Sequence, residues 1–155
     1  MFDTSFSRDF SLIESAKEFV ERYKTSNNPT SSAQLPMLSG ICPGWICYAE
    51  KTHGNLVPLI DTTKSPQQIM GSLIKDSLSI ELSMKQSQIY HVTIMPCYDK
   101  KLESSRKEFL IHPDSVLKDV DCVITTGELD LIMNKRKINL LDFQPSICVE
   151  SLYCI

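Results

Sequence analysis

Two cysteines of this 155-residue chain stand where a thiolate can do chemistry. Cys97 lies in YHVTIMPCYDKKLE (Tyr90 to Glu103), directly after a β-rich apolar run of Val92, Thr93, Ile94 and Met95 that Pro96 stops. Cys42 lies in LPMLSGICPGW (Leu35 to Trp45), after a short apolar run and before Pro43 and Gly44. In open α/β sheets, reactive groups collect just past the carboxyl ends of strands, where loops meet helix starts. Pro43 suits the first position of a helix, where its missing N–H costs nothing. Cys42 then falls at a helix N-terminus, where the dipole and free N–H groups favour a thiolate. Lys100 is near enough to Cys97 in sequence to depress its pKa or to hydrogen-bond an anionic cofactor. Cys97, a lone cysteine after a strand, also has an ordinary reading as a small buried hydrophobe. Lys100 and Glu103 have theirs as a solvated helix start. Two turns of the same design suggest convergence on one crevice, as half of a metal or cluster site.

The elements that must position these turns can be read in order. Met1 to Ser5 reads as the end of a strand, with Asp9 as cap of the helix that follows. In SLIESAKEFVERYK, Leu12, Ile13, Ala16, Phe19, Val20 and Tyr23 recur at helical spacing, with Glu14, Lys17, Glu18, Glu21 and Arg22 on the other side. The pattern predicts an amphipathic helix. SNNPTSSAQ is a polar loop rich in breakers. A strand from Leu35 leads to the Cys42 turn and a helix from Pro43 to about Thr52, in which Trp45 reads as core packing before it reads as a wall of a site. Leu56 to Ile60 reads as a short edge strand containing Pro58. Ser65, Pro66 and Gln68 form a capping-box arrangement for a helix through Ile69, Leu73 and Ile74. The Tyr90 strand, the Cys97 turn and a helix near Leu102 to Phe109 follow. After the charged loop HPDSVLKD come a strand, DCVITTG, and a helix from Glu128 to Lys135.

Strand and helix signals therefore alternate, which argues for an α/β fold with a mostly parallel sheet and flanking helices. Gly40, Cys42, Cys97 and Thr125 to Gly127 should meet in the crevice beyond the strand ends. Beyond Ile138 the pattern fades.

At 42% hydrophobic the chain can bury one ordinary core. A net charge of −3, with both signs scattered, argues against a nucleic-acid groove or a membrane-surface patch. No apolar run approaches the roughly 20 residues that span a bilayer. MFDTSFSRDF does not look like a signal peptide, so six cysteines read as reduced thiols or metal ligands in a cytoplasmic or nuclear setting. His53, His91 and His112 share no finger-like spacing, and zinc is not indicated. Cys42 and Cys47 form no C-x-x-C, no convergent base is nominated for a Cys–His hydrolase, and the five glycines form no phosphate loop.

The combination can be named as a resemblance. Cys42-Pro43-Gly44-Trp45 and Met95-Pro96-Cys97-x-x-Lys100-x-x-Glu103 resemble the first two signature motifs of iron-only hydrogenases. Lys64 to Gly71 (KSPQQIMG) and Thr125-Thr126-Gly127-Glu128 resemble further blocks of that superfamily, in the right order. The likeness is strongest to the eukaryotic hydrogenase-like proteins of cytosolic iron–sulfur assembly and prelamin A recognition. It implies that Cys42 and Cys97 are two of four thiolates on a [4Fe-4S] cluster held between two α/β lobes. Lys100 would lie beside the cluster and Glu103 would orient the loop from behind.

The departures carry as much information. Hydrogenases have paired cysteines before the Pro-x-Trp, the first serving proton transfer; here that position is Ile41. The acidic residue of the relay on the first helix corresponds to Ser15. The resemblance therefore implies no hydrogen production or uptake. The third family motif, E-x-M-x-C-x-x-G-C, is echoed only by Glu150-x-Leu152-x-Cys154. The expected organisation is a partial hydrogenase large-subunit-like domain over residues 1–145 and a divergent or truncated tail over 146–155. The expected function is a non-catalytic iron–sulfur protein that helps deliver clusters to cytosolic and nuclear apoproteins, alongside other assembly factors. The alternative is a cluster-free interaction module of the lamin-tail-binding type.

Overall fold

The computed structural model describes residues 2–26, 35–111 and 116–143. Helix α1 spans Thr4–Ser26, α2 Pro43–Thr52 and α3 Pro66–Glu81. Strand β1 (Val92–Met95) is followed by α4 (Asp99–Ser105), and β2 (Cys122–Thr125) by α5 (Thr126–Arg136). The two strands pair in parallel, with Val92 opposite Cys122 and Met95 opposite Thr125. Parallel pairing requires a crossover, and α4 lies within it. A second parallel contact, Leu38 with Ile60, is an isolated bridge.

Pro43 and Pro66 open α2 and α3, as their fixed φ predicts. Thr125 and Glu128 close a full capping box on α5: the Thr125 hydroxyl accepts the Glu128 N–H, and the Glu128 carboxylate accepts the Thr125 N–H at 2.9 Å. At α3 only one arm forms. Ser65 accepts the Gln68 N–H at 3.4 Å, while the Gln68 side-chain amide is fully buried and without a hydrogen-bond partner among the described residues.

Several sequence expectations need correction. The segment before Ser5 is no strand end: α1 begins at Thr4, and Asp3, not Asp9, accepts the Ser5 N–H. Leu56 to Ile60 is no strand; a 3₁₀ turn runs Gly54–Leu59 around Pro58, which cannot donate to a ladder. The Leu35 strand reduces to the Leu38 bridge. The helix near Leu102 to Phe109 is α4, starting at Asp99, and a separate 3₁₀ turn, Lys107–Phe109. The sheet among the described residues has two strands, not four. Residues 146–155, with Cys154, lie outside the described residues.

Helix α1 is amphipathic, but it faces the opposite way from a core helix. Ser7, Ser11, Ser15, Glu18 and Arg22 share its inner face. Ser11 donates to the Lys64 carbonyl at 3.2 Å, Glu18 accepts the Thr62 N–H at 2.9 Å, and Arg22 donates to the carbonyls of Leu59 (3.2 Å) and Ile60 (2.9 Å). Phe6, Phe10, Ile13, Phe19, Val20 and Tyr23 are exposed. The Phe6–Phe10 and Phe19–Tyr23 ring pairs run along that outer face.

The core is small and unusually polar. Met95, Val120 and Val123 form its apolar centre, and Ala49, Ile60, Met70 and Ile74 are also buried. Around them lie buried Gln67, Lys75, His91, Thr93, Lys100, Glu103 and Asp119. Buried polar groups are costly unless paired, so hydrogen bonds and ion pairs must hold these elements in register.

His91, just before β1, shows how. Its backbone N–H donates to Asp121 at 2.7 Å, its ring meets the Asp119 carbonyl at 3.1 Å, and Asp121 also pairs with the buried ammonium of Lys75 at 2.8 Å. Burial holds the His91 pKa below its ordinary value. A histidine with a depressed folded pKa is protonated more readily once unfolded. Its stability contribution is therefore whole above the unfolded pKa of about 6.5 and is lost as pH falls below it. Urea midpoints should drop from about pH 7 to about pH 5 in the parent protein, and His91→Asn should flatten that slope. An equal slope in both proteins would assign the acid sensitivity elsewhere. Glu108 and Glu128 contribute in a separate, lower window, because their guanidinium and ammonium partners hold both carboxyls below the usual range.

Candidate metal centre

The two cysteine turns adjoin. Cys42 is the residue before α2, with extended backbone (φ −80°, ψ 112°), and its side chain makes no cap hydrogen bond. Cys97 follows β1 by two residues and precedes α4 by two. Gly44, in the first turn of α2, faces the start of α4. A Cβ placed on Gly44 would lie 2.7 Å from Asp99 Oδ2 and 3.6 Å from Cys42 Sγ. A side chain at Gly44 would have to displace the Asp99 carboxylate, which favours glycine after Cys42-Pro43. Cys42 is exposed and Cys97 half-buried.

Behind them stands a buried ionic lock. Lys100 Nζ pairs with Glu103 Oε2 at 2.6 Å and donates to the Ile41 carbonyl at 3.0 Å. Glu103 Oε1 accepts the Ser65 hydroxyl. Gln67 donates to the Lys100 carbonyl at 3.1 Å and accepts the Thr93 hydroxyl at 3.2 Å. The lock thus binds the residue before Cys42, the cap of α3, strand β1 and the helix after Cys97. Lys100 and Glu103 are buried, so they are not a solvated helix start. Trp45 is half-buried beside Gly40, whose added Cβ would meet its ring at 2.7 Å.

On the far side of Ile41 lies a cavity of about 300 Å³, lined by Ile41, Ile46, Asp61, Glu103 and Arg106 among others. Asp61 accepts the hydroxyls of Ser15 at 2.7 Å and Ser39 at 3.0 Å. Burial tends to raise the Glu18 carboxyl, but hydrogen bonds from Thr62 and Arg22 outweigh it and hold the pKa low. Arg106 grips Glu50 and Glu108, and those carboxylates raise its pKa.

Tested as a seat for an iron–sulfur cluster, this region fits in kind but not in number. Thiols are the right donors. Among the described residues, no group of three or more His, Cys, Asp or Glu side chains is placed to hold a metal ion. His53 hydrogen-bonds Tyr48, and His91 is engaged as described. His112 and Cys154 lie outside the described residues. The described residues present two free cysteines, Cys42 and Cys97, on turns tied together by the Lys100–Glu103 pair. Sequence reasoning missed Asp99, Ser65 and Asp61 as parts of that arrangement. The glycine after Cys42-Pro43 was the available signal for Asp99; the other two contacts join distant loops.

Comparison with known proteins identifies the family. A family profile described as "Iron only hydrogenase large subunit, C-terminal domain" matches residues 1–151. The chain is 54% identical over 94% of its length to a Xenopus tropicalis protein called cytosolic Fe-S cluster assembly factor narfl. It is 53% identical over 94% of its length to a rat protein called cytosolic iron-sulfur assembly component 3. It spans 30% of each of those proteins. Among solved structures, an apo FeFe-hydrogenase variant from Chlamydomonas reinhardtii superposes with a TM-score of 0.85 at 34% identity, covering 94% of this chain and 35% of that one. The chain belongs to the family defined by the C-terminal domain of the iron-only hydrogenase large subunit.

Proposed function

We propose that this chain is the cluster-facing front of a non-catalytic iron–sulfur protein acting in cytosolic iron–sulfur assembly. The observation that supports this best is the pair of adjoining cysteine turns held by the Lys100–Glu103 lock. The naming of relatives about half identical in sequence as assembly factors points the same way. Cys42 and Cys97 would be two of the ligands of a [4Fe-4S] cluster. When bound, such a cluster supplies sulfide-bridged iron and one-electron chemistry. The chain's own work is positioning. Lys100 fixes the Ile41 carbonyl and so the turn that presents Cys42, and Glu103 holds Lys100 and Ser65 together.

No hydrogen turnover is expected. Ile41 offers no transferable proton where hydrogenases use a cysteine, and Ser15 stands in the acidic position of the first helix. Its hydroxyl donates to Asp61 instead. The partners proposed are other assembly factors and recipient apoproteins, in the cytosol and by extension the nucleus.

Anaerobic reconstitution with ferrous iron and sulfide, read by absorbance and electron paramagnetic resonance, tests this reading. The parent chain should take up a cluster that Cys42→Ala/Cys97→Ala cannot hold. No specific iron in either protein would leave the cluster-free, lamin-tail-binding type of module as the better account.

A further inference from the structure

We propose that the cavity beside Ile41 is a binding site for a small organic cation, a primary ammonium carried on a short apolar body. The proposal does not depend on cluster binding. The cavity, of about 300 Å³, is framed by α2, the 3₁₀ turn Gly54–Leu59, the segment 60–65 and the end of α4. Ile41, Ile46, Val57, Ile60 and Phe109 give it apolar walls. Small-molecule sites have this make-up, apolar surface with a few well-placed polar groups. The polar group that stands out here is Asp61. Its Oδ2 accepts the hydroxyls of Ser15 at 2.7 Å and Ser39 at 3.0 Å, and its backbone N–H donates to the Leu38 carbonyl at 2.8 Å. These bonds hold the carboxylate in place without neutralising it, and among the described residues no cation pairs with it.

Charge decides the class of ligand. The other charged groups of the wall are already engaged. Lys64 is held by Asp119 at 2.7 Å, Glu103 by Lys100 at 2.6 Å, and Arg106 by both Glu50 at 2.6 Å and Glu108 at 3.3 Å. One guanidinium shared by two carboxylates, and Asp61 without a cation, leave the wall with an excess of negative charge. An anion is repelled there. A neutral apolar guest would strip water from Asp61 and offer it no hydrogen bond in return. An ammonium restores the balance and donates a charge-assisted hydrogen bond to Asp61 Oδ1, the carboxylate oxygen that takes none among the described residues. A guanidinium fits less well, because its forked N–H groups seek both carboxylate oxygens and Oδ2 already serves two hydroxyls. The cavity shares Ile41 and Glu103 with the lock behind Cys42, so a bound cation would lie against the turn that carries that cysteine.

The test is titration of the full, isotope-labelled chain with hexylammonium chloride, followed by amide chemical shifts and by calorimetry. The expected result is saturable shifts at Ile46, Val57 and Thr62, with binding at least about tenfold tighter than that of hexanol or hexanoate. Hexylguanidinium should bind more weakly than hexylammonium. Asp61→Asn keeps an acceptor for Ser15 and Ser39, so it should keep the far-ultraviolet circular dichroism of the parent. It should bind hexylammonium about tenfold more weakly and hexanol no differently. Val57→Phe, at an exposed position on the wall, should fill the cavity and abolish hexylammonium binding. Equal binding of hexylammonium and hexanol, unchanged by Asp61→Asn, would reduce the cavity to an apolar hollow and overturn the proposal. Shifts confined to the outer face of α1, binding that survives Val57→Phe, or no saturable shift with any probe would overturn it as well.

Discussion

Lys100→Ala should lower the stability of the fold by about 3–5 kcal/mol, the cost of stranding one member of a buried ion pair. Glu103 would keep its carboxylate in the interior with only the Ser65 hydroxyl to solvate it. The Ile41 carbonyl would lose its donor, and the Cys42 turn with it. The effect should be read as a shift in urea midpoint with unchanged slope. Lys100→Met/Glu103→Leu separates the two consequences. Removing both charges should restore most of the stability, since apolar replacements of buried pairs are often neutral. The Cys42 turn would still lack its tie, so iron uptake should stay impaired in the double variant. If the single and double variants are equally unstable, the pair is not what holds these loops.

A second large effect is expected at Gly71, in the middle of α3. A Cβ there would lie 2.4 Å from the Asp119 carbonyl oxygen and 2.7 Å from its carbon. Backbone cannot swing aside as a long side chain can. Asp119 is held further by Lys64 at 2.7 Å, by its own N–H to the Phe109 carbonyl at 3.2 Å, and by the His91 ring. Gly71→Ala must therefore push α3 away from the segment entering β2, at about 3 kcal/mol. Gly127→Ala is the internal control. It lies in the first turn of α5 with open space around its Cβ position, so it should be neutral or stabilising by up to roughly 1 kcal/mol. Thermal melts of the two variants should move in opposite directions or differ by several degrees. Similar melts would mean that α3 has slack at Gly71.

Local signals in the sequence predicted local structure well. Pro43 and the Ser65-Pro66 pair marked the starts of α2 and α3, and the helix read from Glu128 begins two residues earlier, at Thr126, behind its Thr125 cap. β1 and β2 follow from β-branched runs of the right length. The failures have a common cause. Apolar periodicity finds a helix but does not say which face meets the domain, and in α1 Ser11, Ser15, Glu18 and Arg22 do so by bonding side chains to the segment 58–64. Leu56 to Ile60 has the composition of a strand, yet Pro58 and the Arg22 guanidinium claim its backbone as a turn. The candidate site was legible only in its cysteines, Lys100 and Glu103. Ser65 and Gln67 lie in the KSPQQIMG block, but their bonds to Glu103 and to Lys100 and Thr93 join segments tens of residues apart, and Asp61 and Asp99 carried no signal of their own.

The outward aromatic stripe of α1 has a consequence for the chain's life in a cell. Phe6, Phe10, Phe19 and Tyr23 present a ready ligand for holdase chaperones and for the degradation machinery that reads exposed apolar surface. Abundance should then depend on how quickly that stripe is covered, more than on equilibrium stability. Phe10→Ser/Phe19→Ser, which touches no inward contact, should lengthen the half-life of the lone chain while leaving its melting behaviour close to that of the parent.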